Sequence, residues 1–353
     1  MSEPSMWRIC PATGSRGAGY ASRILAMALS LTAAGTLDAA DLAAPAQAAA
    51  VQAVQSDKAA RSLLLEIAHA GSRLVVVGDR GHILYSDDQG KNWVQAQVPA
   101  RQLLTAVHFV DARHGWAVGH DALILASEDG GQTWQTQFED PQREAPLLDV
   151  WFKDARNGFA VGAYGMLLAT QDGGRTWQDI GERLDNEDQY HLNGIAWVKD
   201  AGLFIVGEAG SMFRSTDDGL NWEKLEGPYQ GSLFGVTGTA QASTLLVYGL
   251  RGNLFRSTDF GDSWTQIDLV AARGPLDFSL ANAALMGDGS LVLVGNGGSV
   301  LRSSDDGRSF MVFNRPDRIS LAGVTVNDQG NLVLVGQGGV HLSTPTGAEL
   351  TSR

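Results

Sequence analysis

The stretch ASEDGGQTW at residues 126–134 decides the fold, because five further stretches repeat its pattern. The others are YSDDQGKNW (85–93), ATQDGGRTW (169–177), RSTDDGLNW (214–222), RSTDFGDSW (256–264) and RSSDDGRSF (302–310). All align as Ser/Thr-x-Asp-x-Gly-x-x-Trp/Phe. The Asp can accept hydrogen bonds from its own turn, the Gly can adopt a positive φ, and the ring can cover the turn. We predict structural turns built on Asp88, Asp129, Asp172, Asp217, Asp259 and Asp305.

A second motif, Val-Gly or Tyr-Gly followed by two variable residues and usually another Gly, alternates with these turns. Its first Gly lies at positions 78, 119, 162, 207, 249, 295 and 336, so the period is about 43 residues. Each copy contains four short strand-like segments bounded by Gly or Asp, and none has the periodicity of an amphipathic helix. This pattern is typical of propeller blades. The sequence therefore predicts an all-β, seven-bladed β-propeller with four-stranded antiparallel blades.

The seventh copy departs from the pattern. Pro345 stands where an Asp is expected, and no aromatic residue follows. Because an incomplete blade exposes an unpaired strand edge, we predict that an N-terminal strand within residues 45–57 closes the last blade. The alternative is a seventh blade with three strands. The expected propeller spans residues 45–348, and residues 349–353 form a short tail.

Residues 1–44 have the pattern of a signal peptide and its cleavage region. Arg8, Arg16 and Arg23 precede an apolar run at residues 24–37, and small residues follow it. The run is short for a membrane span, although an uncleaved membrane anchor is the alternative. We expect export to a periplasm or an equivalent lumen, with membrane association as a further option.

Composition excludes several classes of function. The chain has 353 residues, 43 of them Gly, a single Cys and a formal net charge of −13. One Cys cannot form an internal disulfide or a thiolate metal cluster, and the negative charge argues against nucleic-acid binding. The seven His residues show no paired metal-ligand spacing. We expect no metal site and no cofactor.

The two motifs together resemble the Asp-box or BNR-repeat propellers over residues 58–344, and most closely the photosystem II stability/assembly factor-like family. The resemblance implies a seven-bladed propeller that assists the assembly of a membrane complex. Because the sequence shows no catalytic arrangement of residues, we expect no enzymatic activity. Photosynthetic members of the family are periplasmic, lumenal or thylakoid-associated helpers. Many relatives occur in bacteria without photosynthesis, so the family resemblance specifies the fold more closely than the partner.

Antiparallel blade geometry predicts which loops share a face. If the strands of a blade are A to D, the A–B and C–D turns lie on one face, and the B–C turns and D–A links lie on the other. We call these the C–D face and the B–C face. The Asp boxes lie in C–D turns, whereas the variable B–C turns and D–A links are where we expect binding residues.

Eight arginines fall on the predicted B–C face: Arg80, Arg101, Arg143, Arg183, Arg251, Arg273, Arg315 and Arg318. Arginine suits bidentate recognition of carboxylates, although solvated loop charge is the alternative. The predicted protein-binding residues are Arg80, Asp121, Tyr164, Glu208, Arg251, Arg273 and Arg318.

We therefore expect a monomeric, exported scaffold that binds another protein of a membrane or envelope complex. One alternative is a glycan-binding or sialidase-like glycoside hydrolase propeller, and another is an accessory subunit of a transporter or secretion system. Two carboxylates beside a Tyr or Trp in the central pocket would favour the hydrolase.

Overall fold

Short antiparallel strands account for nearly all regular structure, as β-branched segments separated by Gly-containing turns dictate. The computed structural model describes residues 51–272 and 274–350. Its strands form seven successive sheets, and each innermost strand contacts the innermost strands of the blades before and after it. Contact between the first and the last innermost strand closes the ring. The predicted seven-bladed propeller is confirmed.

Six blades have four strands each, in the order A to D outward from the ring centre. Blades 1 and 2 comprise β1 (Leu64–Ala70), β2 (Arg73–Gly78), β3 (Ile83–Ser86), β4 (Val94–Gln95), β5 (Leu104–Phe109), β6 (Gly115–Gly119), β7 (Ile124–Ser127) and β8 (Gln135–Phe138). Blades 3 and 4 comprise β9 (Leu147–Phe152), β10 (Gly158–Gly162), β11 (Leu167–Thr170), β12 (Gln178–Asp179), β13 (Leu192–Val198), β14 (Gly202–Gly207), β15 (Met212–Ser215) and β16 (Glu223–Leu225).

Blade 5 comprises β17 (Leu233–Gly238), β18 (Leu245–Gly249), β19 (Leu254–Ser257) and β20 (Thr265–Gln266). A two-stranded hairpin in the next link, β21 (Val270–Ala271) and β22 (Gly274–Pro275), precedes blade 6. The last two blades comprise β23 (Leu280–Leu285), β24 (Leu291–Gly295), β25 (Ser299–Ser303), β26 (Met311–Asn314), β27 (Leu321–Val326), β28 (Leu332–Gly336) and β29 (Gly339–Ser343).

The described helices are single turns of 3₁₀ type. Six of them are B–C turns: Asp79–Gly81, His120–Ala122, Ala163–Gly165, Glu208–Gly210, Leu250–Gly252 and Asn296–Gly298. The others are Ala59–Arg61, Pro141–Arg143 and Gly181–Arg183.

The hydrophobic core is divided into seven clusters, each built from residues of two neighbouring blades. Aromatic rings of the Asp boxes pack in six of these seams, as the sequence predicts. Trp134, for example, is buried between blades 1 and 2, and its indole N–H donates to the Gly131 carbonyl over 3.0 Å. The seam between blades 6 and 7 has no such ring, because the seventh copy lacks the aromatic residue.

The N-terminal closing strand predicted within residues 45–57 is wrong for the described part of that stretch. Residues 51–57 run along the outer edge of blade 1, where the Ala53 amide donates to the Val98 carbonyl over 2.9 Å. Side-chain amides of Gln55 and Gln95 extend this contact. Residues 45–50 lie outside the described residues. Blade 7 consequently has three full strands, the alternative that the sequence left open.

The chain's own C-terminal end covers part of the outer edge of blade 7. A four-residue turn at 344–347 replaces the Asp box, and Glu349 then forms an antiparallel bridge with Ser343. The Leu350 amide donates to the Leu342 carbonyl over 3.0 Å. Since the D strands of blades 1, 3 and 5 are only two residues long, this short return occupies the position of a fourth strand.

Candidate functional site

The Asp boxes on the C–D face use their polar atoms within their own turns. In the box of blade 6, the Ser303 hydroxyl accepts from the Gly307 amide over 2.9 Å and donates to Asp305 Oδ1 over 2.7 Å. Hydrogen bonds led by the Ser309 hydroxyl lower the pKa of Asp305 to about 2, and bonds led by the Thr176 amide do the same for Asp172. All six boxes repeat the Ser/Thr-to-Asp bond: those of Asp88, Asp129, Asp172, Asp217, Asp259 and Asp305.

The B–C turn of each blade contains two consecutive residues in a left-handed backbone conformation, and the first residue of each pair is variable. The seven variable residues, with φ between 54° and 83°, are Arg80, Asp121, Tyr164, Ala209, Arg251, Gly297 and Gly338. This conformation costs a residue with a Cβ roughly 1–2 kcal/mol. Five of the seven are nevertheless not Gly, and four of those are exposed: Arg80, Tyr164, Ala209 and Arg251. The turns thus project variable side chains from a uniform backbone.

Tyr164 and Glu208, which are both predicted binding residues, are connected through His191, which the prediction omitted. The Tyr164 ring, 61% exposed, lies edge-on to the His191 ring with centroids 5.1 Å apart. The His191 amide in turn donates to a carboxylate oxygen of Glu208 over 3.3 Å. Tyr164 also borders a cavity of about 490 Å³, lined in addition by Arg143 and Asn186. The turns of blades 3 and 4 therefore form one continuous polar and aromatic surface.

A second depression on the B–C face, of about 660 Å³, lies beside blade 6. Arg318 and Phe278 line it, and both side chains are exposed. Arg318 has a φ of 52°. Arg273, predicted for the same face, lies outside the described residues. Asp121 is half-buried, and its carbonyl accepts from the Asp140 amide over 3.0 Å.

The prediction that Arg315 lies on the binding face is wrong, because its side chain is only 5% exposed. Its guanidinium donates to Ser343 Oγ over 3.0 Å, to the Gly347 carbonyl over 3.1 Å and to Asp317 Oδ2 over 2.6 Å. Arg143 also has fixed partners, since it forms ion pairs with Asp140 and Asp179. Arg80, Arg251 and Arg318 are exposed.

The central channel contains functional groups that the sequence reasoning missed. In each inner strand the register shifts after the first residue, so the second residue has no partner in strand B. The third residue pairs with the Val or Tyr of the repeated Val/Tyr-Gly motif. We call these third residues the waist ring. They are Glu66, Ala106, Asp149, Gly194, Gly235, Asn282 and Gly323.

The waist ring lines a cavity of about 730 Å³ through two carboxyls and an amide. Glu66 accepts from the Val107 amide and from Asn282, both over 3.2 Å. Asp149 accepts from the Val150 amide over 2.7 Å and from the Ile195 amide over 2.8 Å. All four carboxylate oxygens therefore accept a hydrogen bond from an N–H group.

Burial raises the pKa of both waist carboxyls above the usual values of Glu and Asp. Burial in the channel wall, and then the charge of Asp149, raise the pKa of Glu66 to about 8. Burial raises the pKa of Asp149 to about 7 against the two amide bonds. The hydrogen-bond donors favour the charged form of each group, whereas burial and mutual repulsion oppose it.

A tyrosine completes the waist ring at the position of Gly235. A Cβ on Gly235 would lie 2.4 Å from the Tyr248 hydroxyl oxygen, so this hydroxyl fills the place of the missing side chain. Tyr248 is 3% exposed, and burial together with the charges of Asp149 and Glu66 raises its pKa. The seven-copy alignment shows the signal for this ring, because the third position of strand A is either small or polar in an otherwise apolar strand.

Comparison with known proteins places these features in a family. The model of the family described as "Photosynthesis system II assembly factor YCF48" matches residues 85–144 and 140–274, which together are just over half of the chain. The chain belongs to this assembly-factor family. The expectation drawn from the Asp boxes and the Val/Tyr-Gly motif is confirmed.

Curated relatives match this family member only over short stretches. The photosystem II stability/assembly factor HCF136 of Cyanidioschyzon merolae is 40% identical over 62 residues, which are 17% of this chain and 14% of that protein. The Ycf48 assembly protein of Thermosynechococcus vestitus is 40% identical over 43 residues, 12% of either chain. The chain therefore aligns with only a small part of the length of these relatives.

Solved structures share the fold over most of this family member. A structure titled "YCF48 bound to D1 peptide" has a TM-score of 0.64 at 18% identity and covers 83% of this chain and 95% of that one. A streptogramin B lyase has a TM-score of 0.67 at 12% identity and covers 83% and 97%. Because the same fold carries both a peptide-binding protein and a lyase, fold alone assigns no activity.

The described residues contain neither a membrane-spanning helix nor a metal-binding cluster. Over 51–272 and 274–350, no helix is long and apolar enough to cross a membrane. The same part of the chain has no group of three or more His, Cys, Asp or Glu placed to hold a metal ion.

Proposed function

We propose that this chain is an exported, non-enzymatic assembly factor that binds a peptide segment of a membrane or envelope complex through its B–C face. Family membership and the solved relative bound to a D1 peptide support this proposal. In a photosynthetic host the equivalent segment would be that of D1 itself.

The observation that carries the proposal is the set of exposed side chains on the left-handed positions of the B–C turns. Arg80, Tyr164 and Arg251 are held there at a cost in backbone energy. Strained positions of this kind concentrate at functional sites, and Arg and Tyr are the residues that most often dominate protein interfaces. Rigid turns also limit the entropy lost on binding.

The test measures binding of the purified propeller to the candidate segment by isothermal titration calorimetry, using the D1 peptide of the solved YCF48 complex as the probe. The variant replaces Arg80, Arg251 and Arg318 by Ala. Since each of these side chains is exposed on the B–C face, we expect at least a tenfold loss of affinity at an unchanged melting temperature.

The matched control replaces Arg113, Arg156 and Arg175 by Ala, because these exposed arginines lie in A–B and C–D turns on the opposite face. It removes the same net charge and should bind like the wild type. Equal losses in both triple variants would show that net charge matters rather than the B–C face. An unchanged affinity in the first variant would refute the Arg-based site.

A glycoside hydrolase is the second candidate, because the structure places Glu66 and Asp149 beside Tyr248 in the central cavity. Catalysis by such a pair needs carboxyl oxygens that can reach the glycosidic oxygen and C1. Here all four oxygens already accept hydrogen bonds from the protein. Hydrolysis of an aryl glycoside that Glu66→Gln abolishes would establish this function instead.

A further inference from the structure

We propose that the waist of the central channel is a binding site for a single organic cation, a primary ammonium or a guanidinium group, entering from the C–D face. This site is separate from the B–C surface of the proposed function. The proposal rests on the charge of the waist ring, on its hydrogen-bonding pattern and on the side chains at the channel mouth.

The waist presents acceptors that are arranged for a positively charged donor. Every oxygen of Glu66 and Asp149 accepts from an N–H donor, so the protein stabilises the charged form of each group when it loses its proton. Two like charges lining one cavity repel each other, and a cation between them would remove that repulsion. The carboxylates keep further lone pairs for an ammonium or guanidinium donor.

The Tyr248 hydroxyl is an independent observation that points into the same space. Its residue is 97% buried, yet the hydroxyl reaches the waist ring through the gap left by Gly235. Tyr248 lines the same cavity as Glu66 and Asp149, and a hydroxyl oxygen can accept a hydrogen bond from a bound cation.

Aromatic side chains line the approach from the C–D face. The inner strands end at this face, and the Trp151 and Trp197 rings stack there with centroids 5.9 Å apart. Trp197 is 39% exposed, and Lys153 Nζ already lies 5.8 Å from the centre of its ring. Indole rings attract cations through the negative potential of their faces. The mouth can therefore guide a cation toward the waist.

The remaining titratable groups in the cavity do not compete for the carboxylates. Lys199 lines the cavity, but its ammonium donates to the Ala240 carbonyl over 3.0 Å. His108 also lines it, and burial lowers the pKa of its ring to about 4, so the ring is neutral near pH 7. A divalent metal fits the site less well, because it takes six or more oxygen ligands and only two carboxylates are available.

The cavity volume of about 730 Å³ falls within the usual range of small-ligand sites, roughly 300–1,000 Å³. It is large enough for the side chain of one basic residue. Two kinds of ligand have the required chemistry. One is a partner segment that inserts a Lys or Arg side chain, and the other is a free small amine. The experiment below separates these two sources.

The test uses isothermal titration calorimetry with N-acetyl-arginine amide and with its neutral isostere, N-acetyl-citrulline amide. We expect saturable binding of the arginine probe and at least tenfold weaker binding of the citrulline probe. Binding should tighten as the pH rises from about 6 to about 9, by up to tenfold per pH unit for each proton released. Titrations in buffers of different ionisation enthalpy count those protons.

The variants Glu66→Gln and Asp149→Asn should each weaken the arginine probe at least tenfold and reduce proton release, whereas Glu128→Gln, an exposed carboxyl on the C–D face, should change neither. A short extended peptide with one central Arg that binds more tightly than the free probe would identify a partner segment as the source. Equal affinities would identify a small cation. Equal binding of arginine and citrulline, or wild-type affinity in both waist variants, would overturn the proposal.

Because the D1 peptide assay addresses the B–C face, the two proposals fail independently. A loss of D1 binding in the arginine triple variant with intact arginine-probe binding would leave the channel site standing. Loss of arginine-probe binding in the waist variants with intact D1 peptide binding would overturn the channel site and leave the proposed B–C site unaffected.

Discussion

The guanidinium of Arg315 donates to Ser343 Oγ over 3.0 Å and thereby ties the link after blade 6 to the last strand of blade 7. This contact lies at the one seam that has no Asp-box aromatic ring. The same guanidinium also holds the Gly347 carbonyl of the C-terminal turn. A buried hydrogen-bonding residue thus connects blades 6 and 7 at a seam that lacks an Asp-box ring.

Arg315→Ala should lower the free energy of unfolding by about 2–3 kcal/mol, because it leaves buried acceptors of Ser343 and Gly347 without a donor. Urea denaturation followed by tryptophan fluorescence measures this change. Arg318→Ala is the matched control, since Arg318 is exposed three residues away, and it should stay within about 0.5 kcal/mol of the wild type. Similar values for both variants would contradict the role assigned to Arg315.

Ser303→Ala should cost about 1–3 kcal/mol of stability, because the buried Gly307 amide loses its acceptor. Ser309 belongs to the same Asp box, but its hydroxyl contacts Asp305 on the exposed side. Ser309→Ala should therefore cost less, about 0.5–1 kcal/mol. Thermal and chemical unfolding of the pair provide the measurement, and a larger loss for Ser309→Ala would be inconsistent with the observed bonding.

Ala209→Gly should raise the free energy of unfolding by about 0.5–1 kcal/mol, since Gly relieves the left-handed strain at φ 54° and no buried contact is lost. Gly338 occupies the equivalent position in blade 7 at φ 83°. Gly338→Ala should have the opposite effect and cost about 1 kcal/mol. Chemical denaturation of the two variants tests the sign at one structural position, and equal signs would exclude backbone strain as the cause.

We expect the protein to lose stability as the pH rises, because folding raises the pKa of both waist carboxyls. Glu66 and Asp149 bind their protons more tightly in the folded chain than in the unfolded chain. Their stabilising contribution is therefore complete below about pH 4 and is lost as the pH rises to about 8, at up to about 1.4 kcal/mol per pH unit for each proton.

Glu66→Gln should weaken the pH dependence of the free energy of unfolding, because the variant lacks one of the two titrating carboxyls. It should therefore gain stability relative to the wild type between pH 5 and pH 8, the range that the two raised pKa values set. Urea midpoints across this range measure the difference. Glu128→Gln should keep the wild-type slope, because its carboxyl is exposed on the C–D face. A slope unchanged in Glu66→Gln would show that the Glu66 carboxyl is ionised throughout.

The repeat in the sequence determined the number of blades, the turn chemistry and the positions of the B–C turns. These features are local: an Asp five residues and a Gly three residues before a Trp specify a turn wherever they stand. The predicted Asp-box bonds and the seam positions of the rings follow from that spacing. The family followed from the same motifs.

Tertiary structure alone decided which residues from distant blades meet. Glu66 and Asp149 are 83 positions apart in the chain, yet ring closure places both at the waist, because every inner strand aligns its third residue at the same height. The burial of Arg315 and the return of Leu350 along Leu342 depend on contacts between chain ends and the last blade. No local pattern specifies such contacts, since they are selected by packing and hydrogen bonding in the closed ring.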